Sequence, residues 1–348
     1  TNLLIHMGNT LLVFAFVHAL VRATDAPAVS SLSLWLAALT ATLWAVHPIN
    51  LTGVLYVVQR MTSLSTLFVL AGLTLYVHGR TRLARAGHGW RRMLIGLAVF
   101  TPLATASKEQ GMLLPLYAAV IELTVFRLRV TETRDRLRLI TLGASVALIA
   151  VAAILAFFYA NPGWLAEAYE GREFTWVERL MTQPRALWLY AGLTVWPNLS
   201  AFALHHDELA LSTAWDTPAT TWIAWLTWTV CVTLAWLVRR RVPLVACGLG
   251  LFLAGHVLES SILPLDLAAE HRNYFASLGL VLIVAYSLLA ASSRRIGMAM
   301  PLILAVIGVT AATTWMRANE WRDPLTLTLV EVNRHPGSGR AQIGRAHV

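Results

Sequence analysis

The chain has 348 residues, 57% of them hydrophobic and 13% charged, with a mean hydropathy of +0.63. Apolar runs able to cross about 30 Å of hydrocarbon recur along it, so it reads as an all-α, polytopic membrane protein and not as a soluble enzyme. The formal net charge of +9 would point to nucleic acid in a soluble chain. Here the arginines fall in short loops between apolar segments, so topology accounts for them and nucleic acid is excluded as a partner.

In chain order the predicted spans are 3–21, 32–46, 55–78, 93–107, 111–126, 139–159, 219–238, 242–258, 273–291 and 297–315, about ten in all. Thr1 already lies against the first apolar helix, with no start methionine or signal peptide before it, so an upstream piece is expected to be missing. Cys231 and Cys247 lie inside apolar segments and read as small buried residues, not as a disulfide or a metal pair.

Loop charge sets the predicted orientation. Arg80, Arg82, Arg85, Arg91 and Arg92 mark one cytoplasmic loop, and Arg127, Arg129, Arg134, Arg136 and Arg138 mark a second. Arg239-Arg240-Arg241 and Arg294-Arg295 mark two more. An even number of spans must separate the second loop from the third, and 139–159 and 219–238 already make two. Segment 184–203, with Pro184, Arg185 and Pro197, is therefore expected to be a re-entrant or interfacial helix on the outer face. Its Trp188, Tyr190 and Trp196 suit the headgroup level. This topology gathers the polar segments 47–50, 107–110, 160–183, 205–208 and 259–273, and the tail after Trp315, on the non-cytoplasmic side.

Several of those segments carry candidate chemistry. Only one of the 27 lysine and arginine residues is a lysine, Lys108, and it stands in Ser107-Lys108-Glu109-Gln110-Gly111 between two apolar runs. A charge at that depth is either a snorkelling helix-end residue or a functional one, and an ammonium is a common phosphate binder. The densest cluster runs from Glu259 through Asp266 to Tyr274 and ends in Glu270-His271-Arg272-Asn273-Tyr274 at the mouth of an apolar helix. Arg272 could grip a phosphate in a fork, His271 could donate or shuttle a proton, and Glu270 could orient either. An ordinary charged helix start is the alternative.

His47-Pro48 ends one span, and Tyr56, Gln59, Arg60 and Ser63 share one predicted helical face in the next. Arg60 is expected about two turns below the outer loop, facing the bundle interior. His205-His206-Asp207-Glu208 has poor spacing for one metal ion and reads as a solvated loop. Segment 160–183, with Trp164, Tyr169, Phe174 and Trp176 among charges, reads as an amphipathic surface helix. No phosphate-cradling glycine loop, serine elbow or zinc spacing is present, so no cofactor or metal site is called for, and the role of a divalent metal stays open.

Five motifs together give the chain a resemblance. They are His47-Pro48 with Tyr56, Gln59-Arg60-Met61, Tyr76 and Arg80; Ser107-Lys108-Glu109 with Pro115; Thr182-Gln183 with Tyr190 and Pro197; Glu270-His271-Arg272-Asn273-Tyr274; and Trp321-Arg322-Asp323 leading to His335-Pro336. In that order they resemble the TMTC-like family, multispanning proteins of GT-C-type glycosyltransferase fold with appended tetratricopeptide repeats. The resemblance covers nearly the whole chain. It implies an O-glycosyltransferase of the bacterial inner membrane, with membrane lipid, a polyprenyl-phosphate-linked sugar and a protein acceptor as partners, and a periplasmic C-terminal tail.

On the same resemblance, Lys108, Arg272 and Arg60 would bind the donor phosphate. Glu270 and His271 would assist, and His47, Glu109, Tyr56, Gln59, Asn273 and Tyr274 would line the site. The acidic base of such enzymes is expected in a first outer loop upstream of Thr1, which would leave this piece inactive. Many relatives carry glutamate where this chain has Gly53.

The expected domains are the membrane domain, 1–316, and the start of a repeat region, 317–342. One partial unit cannot establish a repeat period, so a plain amphipathic tail is the alternative there. Residues 343–348, Ile-Gly-Arg-Ala-His-Val, match the translation of a common sequencing adaptor, and the native sequence is expected to stop near Gln342. Rival functional classes are an O-antigen ligase or polymerase, and a transporter or flippase. The latter predicts inverted internal repeats, which the sequence does not display.

Overall fold

The computed structural model describes residues 1–24, 33–291 and 296–346, and among these all regular structure is helical. The chain is an all-α polytopic membrane protein. The helices are α1 (Asn2–Ala23), α2 (Ser33–Ala45), α3 (Leu51–Leu55), α4 (Arg60–Ala86), α5 (Trp90–Ala98), α6 (Phe100–Ser107), α7 (Leu114–Ile121) and α8 (Thr133–Ala160). Then follow α9 (Trp164–Tyr169), α10 (Trp176–Val195), α11 (Thr220–Val238), α12 (Pro243–His256), α13 (Asn273–Ala291), α14 (Ile296–Glu320), α15 (Pro324–Arg334) and α16 (Gly339–Ala346). Arg294-Arg295, the fourth expected cytoplasmic mark, lies outside the described residues.

Among the described residues seven helices are long and apolar enough to cross a membrane, or eight if the pair Ser33–Ala45 and Pro48–Leu55, bent by 54°, is one span. The ten expected spans shrink because three are short. Segment 93–107 breaks at Val99 into α5 and α6, of 9 and 8 residues. α2 has 13 residues and α12 has 14, and 13 residues reach only about 20 Å.

α13 is the axis of the bundle: 67% of its span is buried inside the protein, against 6% for α8. It can sit so close to α12 because glycine meets glycine. A Cβ on Gly279 would lie 2.1 Å from the carbonyl oxygen of Gly248, so a small-residue contact sets the helix spacing. α8 is the opposite case, with only Asp135 and Leu139 buried. Its apolar length is satisfied by lipid rather than by packing.

Side-chain bonds fix the two ends of the bundle. At one end Arg85 donates to the carbonyl of Arg22 (2.8 Å) and Trp90 donates to Asp135 (2.9 Å), so the arginine-rich turns after α4 and before α8 lie together. Arg80, expected in that solvated loop, is instead fully buried, because α4 runs on to Ala86. Its Nε pairs with Glu122 at 2.6 Å, its Nη2 donates to the carbonyl of Arg129 at 2.7 Å, and Tyr76 donates to the same carboxylate at 2.8 Å. A guanidinium at that depth requires such a partner.

At the other end meet the starts of α1, α4, α7 and α13 and the ends of α2, α6, α12 and α14. α10 lies across this end. Arg179 near its start donates to carbonyls of residues 259–266, Tyr190 in its middle accepts from Ala269 N (2.7 Å), and the carbonyl of Thr194 near its finish accepts from His47 (2.9 Å). The non-crossing helix expected at 184–203 is thus present, but as Trp176–Val195, opened by a reciprocal Thr175–Glu178 capping box.

Candidate functional site

The polar end holds a buried charged cluster. Lys108 takes an extended conformation that ends α6. Gly111 lets the chain turn back at once, since a Cβ there would sit 2.2 Å from the carbonyl carbon of Ala104. The ammonium is thereby turned inward. Lys108 is 6% exposed, and its Nζ donates to Thr62 Oγ1 at 2.9 Å, which donates onward to Gln59 Oε1 at 2.7 Å. A snorkelling lysine would be exposed, so that alternative fails.

Opposite stands Glu259, 3% exposed. One carboxylate oxygen accepts from Gln110 Nε2, and the other pairs with Arg272 Nε at 3.0 Å. Burial pushes the pKa of Glu259 up, while the charges of Arg272 and Lys108 hold it down. Burial likewise lowers the pKa of Lys108, against the pull of Glu259 and Glu109. Arg272 also donates to the carbonyl of Asp266 at 2.9 Å. His271, half-buried, feels the charges of both Lys108 and Arg272, and exposed Glu109 acts on Lys108 from the solvent side.

Arg179 gives the loop 259–266 its shape. It is fully buried and donates to the carbonyls of Glu259 (2.5 Å), Ser261 (3.2 Å), Leu265 and Asp266 (2.9 Å). Burial first, and then the charge of Arg272, lower its pKa to about 10. The cluster therefore buries three cations, Lys108, Arg179 and Arg272, around one carboxylate, Glu259. A buried positive excess is costly by itself and favours an anion at its open edge. The closed cavity beneath Arg272, lined by Ser65, Thr66, Gln110 and Tyr117, is about 10 Å³ and has room for a single water. A larger anion does not fit inside it.

The structure divides the predicted site. Lys108, Arg272, His271, Glu109 and, through Thr62, Gln59 come together. Glu270 does not orient Arg272 or His271, because the 3₁₀ turn Glu270–Arg272 throws successive side chains about a third of a turn apart. Glu270 faces the opposite way. It accepts from Arg317, whose guanidinium lies 4.3 Å over the Phe202 ring and donates to the carbonyl of Pro48 at 2.6 Å. It also accepts from Ala203 N at 2.8 Å, with His206 Nε2 at 3.4 Å. Glu270 is a structural hub joining α13, α14 and the 199–208 loop.

Arg60 is likewise corrected. Residues 57–59 form a separate turn, so α4 starts at Arg60, which is exposed and donates to Asn2 Oδ1 at 2.8 Å. Tyr56 is exposed beside the Trp321 ring, 6.1 Å away. His47 is buried with both ring nitrogens used, Nδ1 accepting from Ile49 N (3.2 Å) and Nε2 donating to Thr194 O. Asn273 is buried and donates to the carbonyl of Glu270 (3.3 Å).

Tyr274 is wholly buried. His6 Nε2 donates to the carbonyl of Ala45 (2.9 Å), which leaves Nδ1 bare to accept the Tyr274 hydroxyl (2.7 Å), and Asn9 donates to that hydroxyl at 3.3 Å. A Cβ on Gly53 would lie 2.5 Å from this ring, which explains why this chain has no glutamate there.

The 205–208 segment is not a free solvated loop. Glu208 accepts from Gly337 N (2.7 Å) and pairs with His335 (3.0 Å), and Asp207 accepts from Arg340 N (3.2 Å). Arg340 also forks onto Asp266 with two bonds of 2.9 Å. The tail hairpin α15–α16 is thus docked on the polar end. α14 continues through Glu320, so the expected boundary at 316/317 falls inside a helix.

Arg317 and Arg179 were missed by sequence reasoning. Arg317 is the one arginine of α14, the same signal that exposed Lys108, whereas Arg179 shares the amphipathic α10 with Arg185. Among the described residues no group of three or more His, Cys, Asp or Glu side chains is placed to hold a metal ion. No protein-family model matches the chain, and neither a curated protein nor a solved structure resembles it to a significant degree.

Proposed function

We propose that this chain is part of a GT-C-type glycosyltransferase of the bacterial inner membrane, moving a sugar from a polyprenyl-phosphate donor to a protein hydroxyl at the periplasmic face. The observation that carries the reading is the burial of Lys108 and Arg272 together around Glu259 at the polar end of the bundle. Lys108 supplies a point charge and Arg272 a fork, the two common ways of holding a phosphate. His271 stands beside them to donate a hydrogen bond to the phosphate as it leaves the sugar. The cations stay in place without ligand because Glu259, Thr62 and the loop carbonyls satisfy them, so the site is preorganised. The docked tail would lie on the same side as the donor site.

The test is photocrosslinking of purified protein in lipid nanodiscs with a polyprenyl phosphate that carries a diazirine next to the phosphate. Adducts should map to residues 104–112 and 259–275, and Lys108→Gln should reduce them about tenfold. Adducts confined to the arginine-rich end, or adducts unchanged by Lys108→Gln, would overturn the assignment.

A further inference from the structure

Segment 160–178 forms a pocket outside the charged cluster. The expected amphipathic helix is not there. α9 has only six residues, and the chain then folds back through Gly171, at φ +76°, before α10 begins. The fold-back leaves a cavity of about 330 Å³ walled by Leu165, Tyr169, Phe174 and Trp176 and rimmed by Arg172 and Glu173. That is the lower end of the size range of small-molecule sites.

The Tyr169 and Phe174 walls are fixed before any ligand arrives. The Tyr169 hydroxyl donates to the carbonyls of Ile262 (2.9 Å) and Leu263 (3.3 Å), so only its ring is offered to the cavity. Phe174 meets that ring edge-on at 6.2 Å, and the Arg172 guanidinium lies 5.9 Å over Phe174. The Thr175–Glu178 capping box fixes the backbone at the start of α10, from which the Trp176 ring projects, 41% exposed.

We infer that this pocket binds a neutral saccharide. A pyranose has an apolar face of C–H groups and a rim of paired hydroxyls. The first matches aromatic walls, and the second matches the guanidinium of Arg172 and the exposed carboxylate of Glu173. A lipid-anchoring surface would be convex and would keep charge off its apolar face, whereas Arg172 and Glu173 stand at this opening. Asp266 links the pocket to the charged cluster: its carboxylate lies 4.0 Å from Arg172, and its carbonyl accepts from Arg272 and Arg179. A sugar bound here would adjoin the loop that carries Glu259 and Arg272. The inference goes beyond the donor-phosphate reading and rests on a different set of side chains.

Saturation-transfer NMR on the purified chain in micelles tests it, with methyl glucopyranoside, mannopyranoside and galactopyranoside as probes. At least one should receive saturation at its ring protons. Trp176→Ala should weaken that binding about tenfold, the loss expected of one stacking ring. Glu173→Ala, at an exposed position whose loss does not threaten folding, should weaken it as well. Absence of transfer to all three probes, or transfer unchanged in both variants, would overturn the inference. Neither result bears on polyprenyl-phosphate crosslinking at Lys108, so the two readings fail separately.

Discussion

Gly53→Ala adds one methyl group at a crowded point of the polar end. Its Cβ would lie 2.5 Å from Tyr274 Cδ2 and 2.8 Å from Cε2, more than half an ångström inside ordinary contact. The ring cannot swing away. It is fully buried, held through its hydroxyl by His6 and Asn9, and packed edge-on against Trp44 at 5.1 Å. Overpacking of this kind costs about 1–3 kcal/mol. Gly143→Ala makes the same chemical change on α8, where nothing lies within 4 Å, and should be neutral or stabilising by about 0.5–1 kcal/mol through helix propensity. Thermal unfolding in detergent, followed by a thiol-reactive dye on buried Cys247, compares them directly. Gly53→Ala should melt lower than the parent, and Gly53→Glu lower still. If Gly53→Ala melts at or above the parent, the packing account of this position is wrong.

Other outcomes follow from the same geometry. Arg317→Ala strands the buried Glu270 carboxylate and should cost about 3–5 kcal/mol, while the double variant Arg317→Met/Glu270→Gln should recover most of it; an unchanged melting temperature for Arg317→Ala would remove Glu270 from its role as a hub. Arg80→Ala should be as damaging at the opposite end, since Glu122 loses its guanidinium, whereas a solvated loop arginine would be dispensable. The Arg340 fork holds the Asp266 carboxyl below its ordinary pKa of 3.8. A carboxylate with a depressed folded pKa contributes stability that is present above 3.8 and lost as pH falls through the lower folded value. Protection of residues 324–346 against amide exchange, taken relative to the intrinsic rate at each pH, should therefore fall at acid pH, by a small margin because both groups are half exposed. Arg340→Ala should reduce that pH dependence, and an unchanged profile would show that the fork does not hold the tail.

Much of the fold was legible because the bilayer imposes simple rules. Arginine asymmetry alone predicted that the turns after α4 and before α8 share an end, and parity alone kept α10 from crossing. Helix lengths were less legible, because the predicted span 93–107 ran straight through Pro102, which has no N–H to give the Ala98 carbonyl and so favours the break at Val99. Within the site, Lys108 and Arg272 stood out as charges in apolar surroundings. The split between Glu270 and Arg272 did not, since adjacency in sequence says nothing about the 3₁₀ turn that separates them. Arg60 and Arg80 were misread for a related reason. Burial of an arginine depends on where its helix starts and stops, and those ends were displaced by several residues from their predicted positions.

The donor-phosphate claim is tested most directly by comparing a polyprenyl phosphate with the matching polyprenol, using native mass spectrometry of the chain released from nanodiscs. Hydrogen bonds to charged groups are worth about 1.5–3 kcal/mol, so the phosphate should raise affinity about tenfold to a hundredfold over the alcohol. Lys108→Gln should lose about tenfold of that preference while binding the alcohol as before. Equal binding of phosphate and alcohol by the parent chain would contradict the account.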